Sequence, residues 1–344
     1  MAVTGYRAEI DAGQRFLEGI EPDENIVLLF HGDADGCCAG AIMYRTLMYS
    51  GRELVFPAFT EKGENVYSES LAKRIMVREP SRLIVLDTGS RPRPMIPNIS
   101  TMVIDHHQPA GIPPVDVFLN SHGVEPPAPT ALFTYDICRQ FVPVGGLEWL
   151  AAIGTAADLG PDADFEVVRD ARDRYGMKAI RETISLINSA YRTCEHDVPT
   201  AFQILIHASS PIEIVEDVFP ETALLRRYRQ EVNSELKKAL RVRPKLSGQW
   251  ALIEFSSPAL VHPLVAIIWS RRLPNNIVIA ANHGYVGAKV HFSVRSQLDL
   301  DLIDELKKAY TAAAGAEFAH GHPRATGGML SGKEFEALKN ALGS

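Results

Sequence analysis

Short apolar runs alternate with amphipathic stretches along the first half of the chain. Residues 26–30 (IVLLF), 82–86 (RLIVL) and 101–104 (TMVI) are apolar almost throughout, which predicts strands buried on both faces. The run around Val55 (LVFPAF) predicts a weaker strand, because Pro57 has no N–H to give a central ladder. Helical spacing predicts helices over 37–49, 64–78, 130–141, 146–157 and 178–193. Such alternation predicts an α/β domain with a mostly parallel sheet and helices on both faces. A stretch over 221–242, stopped before Pro244, predicts a helical connector. Beyond it, strands at 250–255, 276–281 and 288–294 and helices at 260–272, 300–314 and 333–342 predict a smaller α/β domain with a mixed sheet. The expected division is therefore 1–195, 196–245 and 246–344.

Composition narrows the class. The chain has 344 residues, 46% hydrophobic and 22% charged, which suits two globular domains. No apolar run approaches the roughly 18 residues that span a bilayer. Arg7, Glu9, Asp11, Arg15 and Glu18 interrupt the first twenty residues, so no secretory signal is expected. The four cysteines, Cys37, Cys38, Cys138 and Cys194, show no CxxC spacing, and the expectation is a reduced, cytoplasmic protein. The net charge of −7 excludes a chain-wide basic coat for nucleic acid. Its distribution is uneven: residues 226–245 hold eight basic and two acidic side chains, and residues 1–225 carry −14.

Three predicted strands run directly into acidic or histidine residues. IVLLF leads to His31-Gly-Asp33-Ala-Asp35-Gly36, RLIVL to Asp87, and TMVI to Asp105-His106-His107; a fourth group, GTAADLG, sets Asp158 at a helix end. Each alone reads as a turn residue, a helix cap or a surface histidine. In an open α/β sheet, however, ligands sit beyond the carboxyl ends of the strands, so these loops are expected to share one crevice. Several carboxylates in one crevice repel one another unless cations neutralise them. Aspartate oxygens with imidazole nitrogens suit two Mn²⁺ ions, with Mg²⁺ or Co²⁺ also possible, and the lack of thiolates in these motifs argues against a structural zinc site.

In this order the segments at His31–Gly36, Asp87, Asp105–His107 and Asp158 resemble the motifs of the DHH phosphoesterase superfamily. GHPRATGG at 321–328 and Ser293-Val-Arg295-Ser296 are similar to the C-terminal domain that accompanies DHH in the RecJ-like and nanoRNase-like branch. The resemblance implies metal ligands at Asp33, Asp35, Asp87, His106 and Asp158, with His31 as a further ligand. Asp87 would be the bridge between two ions, Asp105 would orient an imidazole, and His107 would face the substrate or the attacking water. Arg295, Gly321, His322, Arg324, Gly327 and Gly328 would hold the substrate's phosphate, through bidentate arginines and approachable backbone. The expected function is hydrolysis of phosphodiester bonds in short oligonucleotides or single-stranded ends, by a monomer or homodimer away from membranes. Two alternatives remain, a small-molecule phosphatase acting on nucleotides or polyphosphate and a non-catalytic scaffold.

Overall fold

The computed structural model describes residues 6–310, 318, 320–322 and 324–343, with the backbone alone at 320–322. The chain divides into two compact units, residues 1–191 with 196–227 and residues 192–195 with 228–344.

The first unit begins with α1 (Arg7–Glu18), β1 (Ile26–Phe30), α2 (Ala34–Tyr49), β2 (Val55–Ala58), α3 (Glu69–Met76), β3 (Arg82–Leu86), β4 (Ser100–Asp105) and β5 (Val117–Asn120). It continues through α4 (Thr130–Phe141), α5 (Glu148–Leu159), α6 (Glu166–Arg192), α7 (Val198–His207), α8 (Pro211–Val215) and the start of α9 (Glu221–Ala239). The five strands form one all-parallel sheet in the order β2-β1-β3-β4-β5. The Pro57-containing strand β2 takes an edge, where a missing N–H costs least.

Packing follows the side-chain alternation of the strands. Val27, Leu29, Leu83, Val85 and Val103 meet Leu71 and Ile75 of α3 on one face. α2 lies against β1 and β2 and also packs on α4, α5 and α7. Each such side chain, once fully buried, contributes roughly 1.5–3 kcal/mol. The order 2-1-3-4-5 reverses direction between β1 and β3, the place where an open α/β sheet leaves a crevice at its carboxyl edge.

The second unit holds β6 (Lys245–Ser247), β7 (Trp250–Phe255), α10 (His262–Arg272), β8 (Ile277–Asn282), β9 (Lys289–Ser296), α11 (Leu302–Ala309), β10 (His320–His322), β11 (Ala325–Ser331) and α12 (Gly332–Ala341). Its sheet runs β10-β11-β9-β8-β7-β6 and is mixed, with only β7 and β8 parallel. Val290, Phe292 and Val294 pack under α11 and α12, while Val278 and Ala280 pack under α10.

Several bounds differ from those predicted. α2 starts at Ala34 and not at 37, because Asp33 caps it and Asp35 belongs to its first turn. α6 extends back to Glu166, in two segments broken at Gly176, whose φ is 79°. α3 is shorter than 64–78, and α11 ends at Ala309, with residues 311–314 of its predicted span outside the described ones. Cys37, Cys38 and Cys138 are buried, Cys194 is exposed, and none is in a disulfide. Among the described residues no helix is long and apolar enough to cross a membrane.

Candidate metal centre

β1, β3 and β4 are neighbours in the sheet, so their carboxyl ends deliver His31–Asp35, Asp87 and Asp105–His107 side by side. Asp33 is the N-cap of α2, its Oδ1 accepting from the Gly36 N–H at 3.1 Å. Gly36 has no room for a side chain, since a Cβ there would lie 2.4 Å from the His31 carbonyl oxygen. Asp35, 1% exposed, points the other way and accepts from the Thr130 and Ala131 N–H groups at 2.8 and 3.0 Å, at the N-terminus of α4. That end of a helix carries unsatisfied donors and partial positive charge, which suits a carboxylate. α5 closes in because residue 154 is glycine: a Cβ there would lie 2.6 Å from Asp35 Oδ1 and 2.4 Å from Ala131 Cβ. Four residues further along α5 comes Asp158.

The six predicted ligands, joined by His107, which was expected to face the substrate or water, come together as three linked triads, His31–Asp33–Asp87, Asp87–His106–His107 and Asp35–His106–Asp158, each with donor atoms within 4.8 Å of one another. Asp87 belongs to two of them and turns one oxygen to each. Its Oδ2 is 3.8 Å from His31 Nδ1, and its Oδ1 is 3.3 Å from His106 Nε2. His106 Nε2 also lies 3.1 Å from Asp158 Oδ2 and 4.0 Å from Asp35 Oδ2. His31 Nδ1 lies 3.1 Å from Asp33 Oδ2. Asp87 adopts the left-handed backbone, φ 62°, a conformation that aspartate tolerates better than most residues.

The electrostatics are those of a crowded anionic site. Burial first, then the Asp158 carboxylate, push Asp35 up to about 7, against the pull of His106. Burial and then the Asp35 and Asp33 carboxylates push Asp87 well above the usual carboxylate range. Asp158 is raised by burial and by Asp33. Burial pulls His31 down, but the Asp33 and Asp87 carboxylates outweigh it and raise the ring to about 9. Divalent cations would relieve this repulsion, and the donor set of carboxylate oxygens and imidazole nitrogens fits them.

Asp105 plays a different part. Fully buried, it accepts from the His106 N–H at 2.8 Å and meets His107 Nδ1 at 2.7 Å. Burial alone would raise it, yet the hydrogen bond and charge of the His107 ring hold it below the usual range. His107 is raised to about 9, the Asp105 bond overriding burial. Asp105 thus lies against the His107 ring nitrogen and restrains the orientation of that ring.

Three side chains outside the predicted set complete the centre. Thr130 Oγ1 donates to Asp87 Oδ1 at 3.0 Å, Asn188 Oδ1 accepts from the Ala34 N–H at 3.1 Å, and the Tyr191 hydroxyl lies 3.1 Å from His31 Nε2. Cys37 and Cys38 lie beside this carboxylate set in α2, but burial first, then the neighbouring negative charges, hold both thiols far from ionisation.

The residues predicted to bind substrate belong to the second unit. Arg295 lies on β9 opposite Ala325 of β11, and Gly327 and Gly328 pair with Ser293 and Phe292. A Cβ at Gly327 would meet the Phe292 carbonyl at 2.4 Å, so glycine is needed for that pairing. The Arg295 Nη1 donates to the Val294 and Thr326 carbonyls at 2.9 and 3.3 Å. Arg324 is exposed and paired with Asp299 at 2.5 Å. Gly321 and His322 lie in β10, and the His322 side chain is outside the described residues.

Residues 25–142 match the DHH family, N-terminal domain. No curated protein matches the chain by sequence. Among solved structures, RecJ from Thermus thermophilus in complex with Mn²⁺ is similar at 17% identity and TM-score 0.73, over 98% of this chain and 54% of that one. The chain thus spans about half the length of that protein. An exonuclease RecJ bound to manganese is similar at 19% identity and TM-score 0.64, over 97% of this chain and 93% of that one. CDC45 from Entamoeba histolytica is similar at 10% identity and TM-score 0.57, over 98% and 97%. At these identities the likeness is one of fold.

Proposed function

The chain carries the N-terminal domain of the DHH family in residues 25–142 and so belongs to the DHH superfamily, and from that premise we propose that it is a two-metal phosphodiesterase acting on short oligonucleotides or the ends of single strands. The observation that carries the reading is Asp87, buried at the switch point and facing a different histidine with each oxygen. His31 and Asp33 would complete one cation site with it, and His106, Asp35 and Asp158 the other. Two divalent cations bound there supply an activated water and a clamp for the attacked phosphate. Two of the similar RecJ structures hold Mn²⁺ and another holds Mg²⁺; the carboxylate and imidazole donors suit Mn²⁺, with Mg²⁺ or Co²⁺ also possible.

The chain's own side chains do the rest. Asp105 keeps the His107 ring oriented and able to hold a proton at its nitrogen. Thr130 and the α4 N-terminus hold Asp87 and Asp35 in place without competing positive side chains. Arg295 and the glycine-containing strand of the second unit would bind the phosphate of a short substrate. Buried thiols outside any disulfide suit a reducing, cytoplasmic setting.

The test is hydrolysis of a dinucleotide, a long single strand and a mononucleotide, first in excess chelator and then with Mn²⁺. We expect no turnover in chelator, and with Mn²⁺ cleavage of the dinucleotide at least as efficient as that of the long strand. Turnover of the mononucleotide alone would make the protein a small-molecule phosphatase. Full activity in chelator would end the two-metal reading.

A further inference from the structure

His31 is tied to a residue far along the chain. Its Nε2 lies 3.1 Å from the Tyr191 hydroxyl, across 160 positions, and the two rings meet edge-on with centroids 5.0 Å apart. Tyr191 is itself fixed from several sides. A Cβ at Gly32, between His31 and Asp33, would lie 2.6 Å from Tyr191 Cδ2, so the phenol ring occupies the space a side chain at position 32 would need. The His196 ring lies 4.9 Å from the Tyr191 ring, with Nδ1 2.9 Å from the Tyr191 carbonyl oxygen and Nε2 3.0 Å from the Thr60 carbonyl oxygen.

An imidazole that binds a cation through one nitrogen carries its proton on the other, and the group accepting that proton decides which nitrogen is which. Here Nδ1 faces Asp33 and Asp87 while Nε2 faces the phenol oxygen. We infer that Tyr191 is a positioning residue for the metal centre: its oxygen accepts the Nε2–H of His31, which commits Nδ1 to the cation shared with Asp33 and Asp87. The inference rests on the two-cation reading and adds to it the assignment of His31 as an Nδ1 ligand and the residue that enforces it. A bare imidazole at this position would choose between two tautomers and two ring flips. With a cation on Nδ1, the proton stays on Nε2 and the phenol oxygen is placed to accept it.

Calorimetric titration of Mn²⁺ into the full chain tests this apart from activity. Tyr191→Phe keeps the ring beside His31 and Gly32 and removes the hydroxyl that faces Nε2. It should weaken one of the two binding steps by about tenfold to a hundredfold, the usual effect of losing an outer partner of a metal ligand, and leave the other step unchanged. His31→Gln should weaken the same step, and the double variant should be no worse than His31→Gln alone. Unchanged affinity in Tyr191→Phe, or losses that add in the double variant, would overturn the inference. Long-range ¹H–¹⁵N spectra of the Mg²⁺-loaded wild type give a second reading that needs no variant. His31 should appear protonated at Nε2, and protonation at Nδ1 would refute the assignment. Wild-type protein that takes up no cation would instead bring down the two-metal reading beneath it.

Discussion

Asp35, His31 and His107 make the metal-free protein sensitive to pH in one direction. The folded value of Asp35, about 7, lies above its ordinary 3.8, so folding favours its protonated form, and that advantage fades as pH rises through 7. His31 and His107, raised to about 9 from 6.5, contribute stability that is complete below 6.5 and lost as pH rises through 9. All three signs agree. In chelator the melting temperature should fall from pH 5 to pH 9. With saturating Mn²⁺ it should hold or rise, because ligands must lose their protons to bind; parallel curves would contradict the assignment. Asp87→Asn is the sharper probe of the bridge, since asparagine accepts φ 62° and keeps the Thr130 hydrogen bond while losing the charge. It should cut turnover by more than about a hundredfold, the most that losing an outer partner of a ligand costs, with the metal-free melting temperature unchanged or higher. At this scale the aspartates and histidines were legible because they stand in short motifs at strand ends. Tyr191 and Thr130 were not: each meets its partner across a long stretch of chain, and within its own helix each reads as an ordinary helical position.

Among the elements, α2 shows where local reading stops. Asp-Ala-Asp-Gly has the composition of a turn, yet Asp33 caps a helix that already contains Asp35, because α4 supplies the N–H groups that satisfy the buried carboxylate. β10 and β11 escaped prediction for a related reason. A glycine-rich segment has little strand propensity of its own, and β9 provides the pairing that makes it one. The isolated apolar runs, by contrast, were read at the right places, since β1, β3 and β4 are buried through their lengths and need no such help. The contact between α2, α4 and α5 is the tightest point of the centre. Gly154→Ala should lower stability by about 1–3 kcal/mol through overpacking and weaken Mn²⁺ binding by displacing Asp35. Gly123→Ala, where a Cβ meets nothing within 4 Å, serves as the control and should change neither. Denaturant melts of both variants decide.

Over the whole molecule, the charge distribution bears on substrate length. At least three of the eight cations in the basic run at 226–245 are held in ion pairs: Arg226 with Glu182 and Asp217, Lys238 with Glu235, and Lys245 with Glu254. A long phosphate track would need those cations. For a short substrate held by two or three phosphate contacts, log kcat/KM should fall against log salt with a slope of about −1.5 to −2. A slope near −5 with preference for the long strand would point to a binding track instead. The parallel sheet and the mixed sheet were both foreseeable from apolar runs, whereas these ion pairs are not written in any local pattern. Finally, the distribution of thiols turns the chain into its own reporter of opening. Cys37 and Cys38 sit on the helix that carries Asp35, sealed from solvent and held un-ionised, while Cys194 is exposed. Brief alkylation of the native protein should therefore tag one sulfur and total alkylation after unfolding four. The slow tagging of Cys37 and Cys38, told apart from buried Cys138 by peptide mapping in mass spectrometry, measures how often the floor beneath the aspartates lifts. Cation binding should lengthen that interval, so the same vial yields a clock for the site without substrate or turnover.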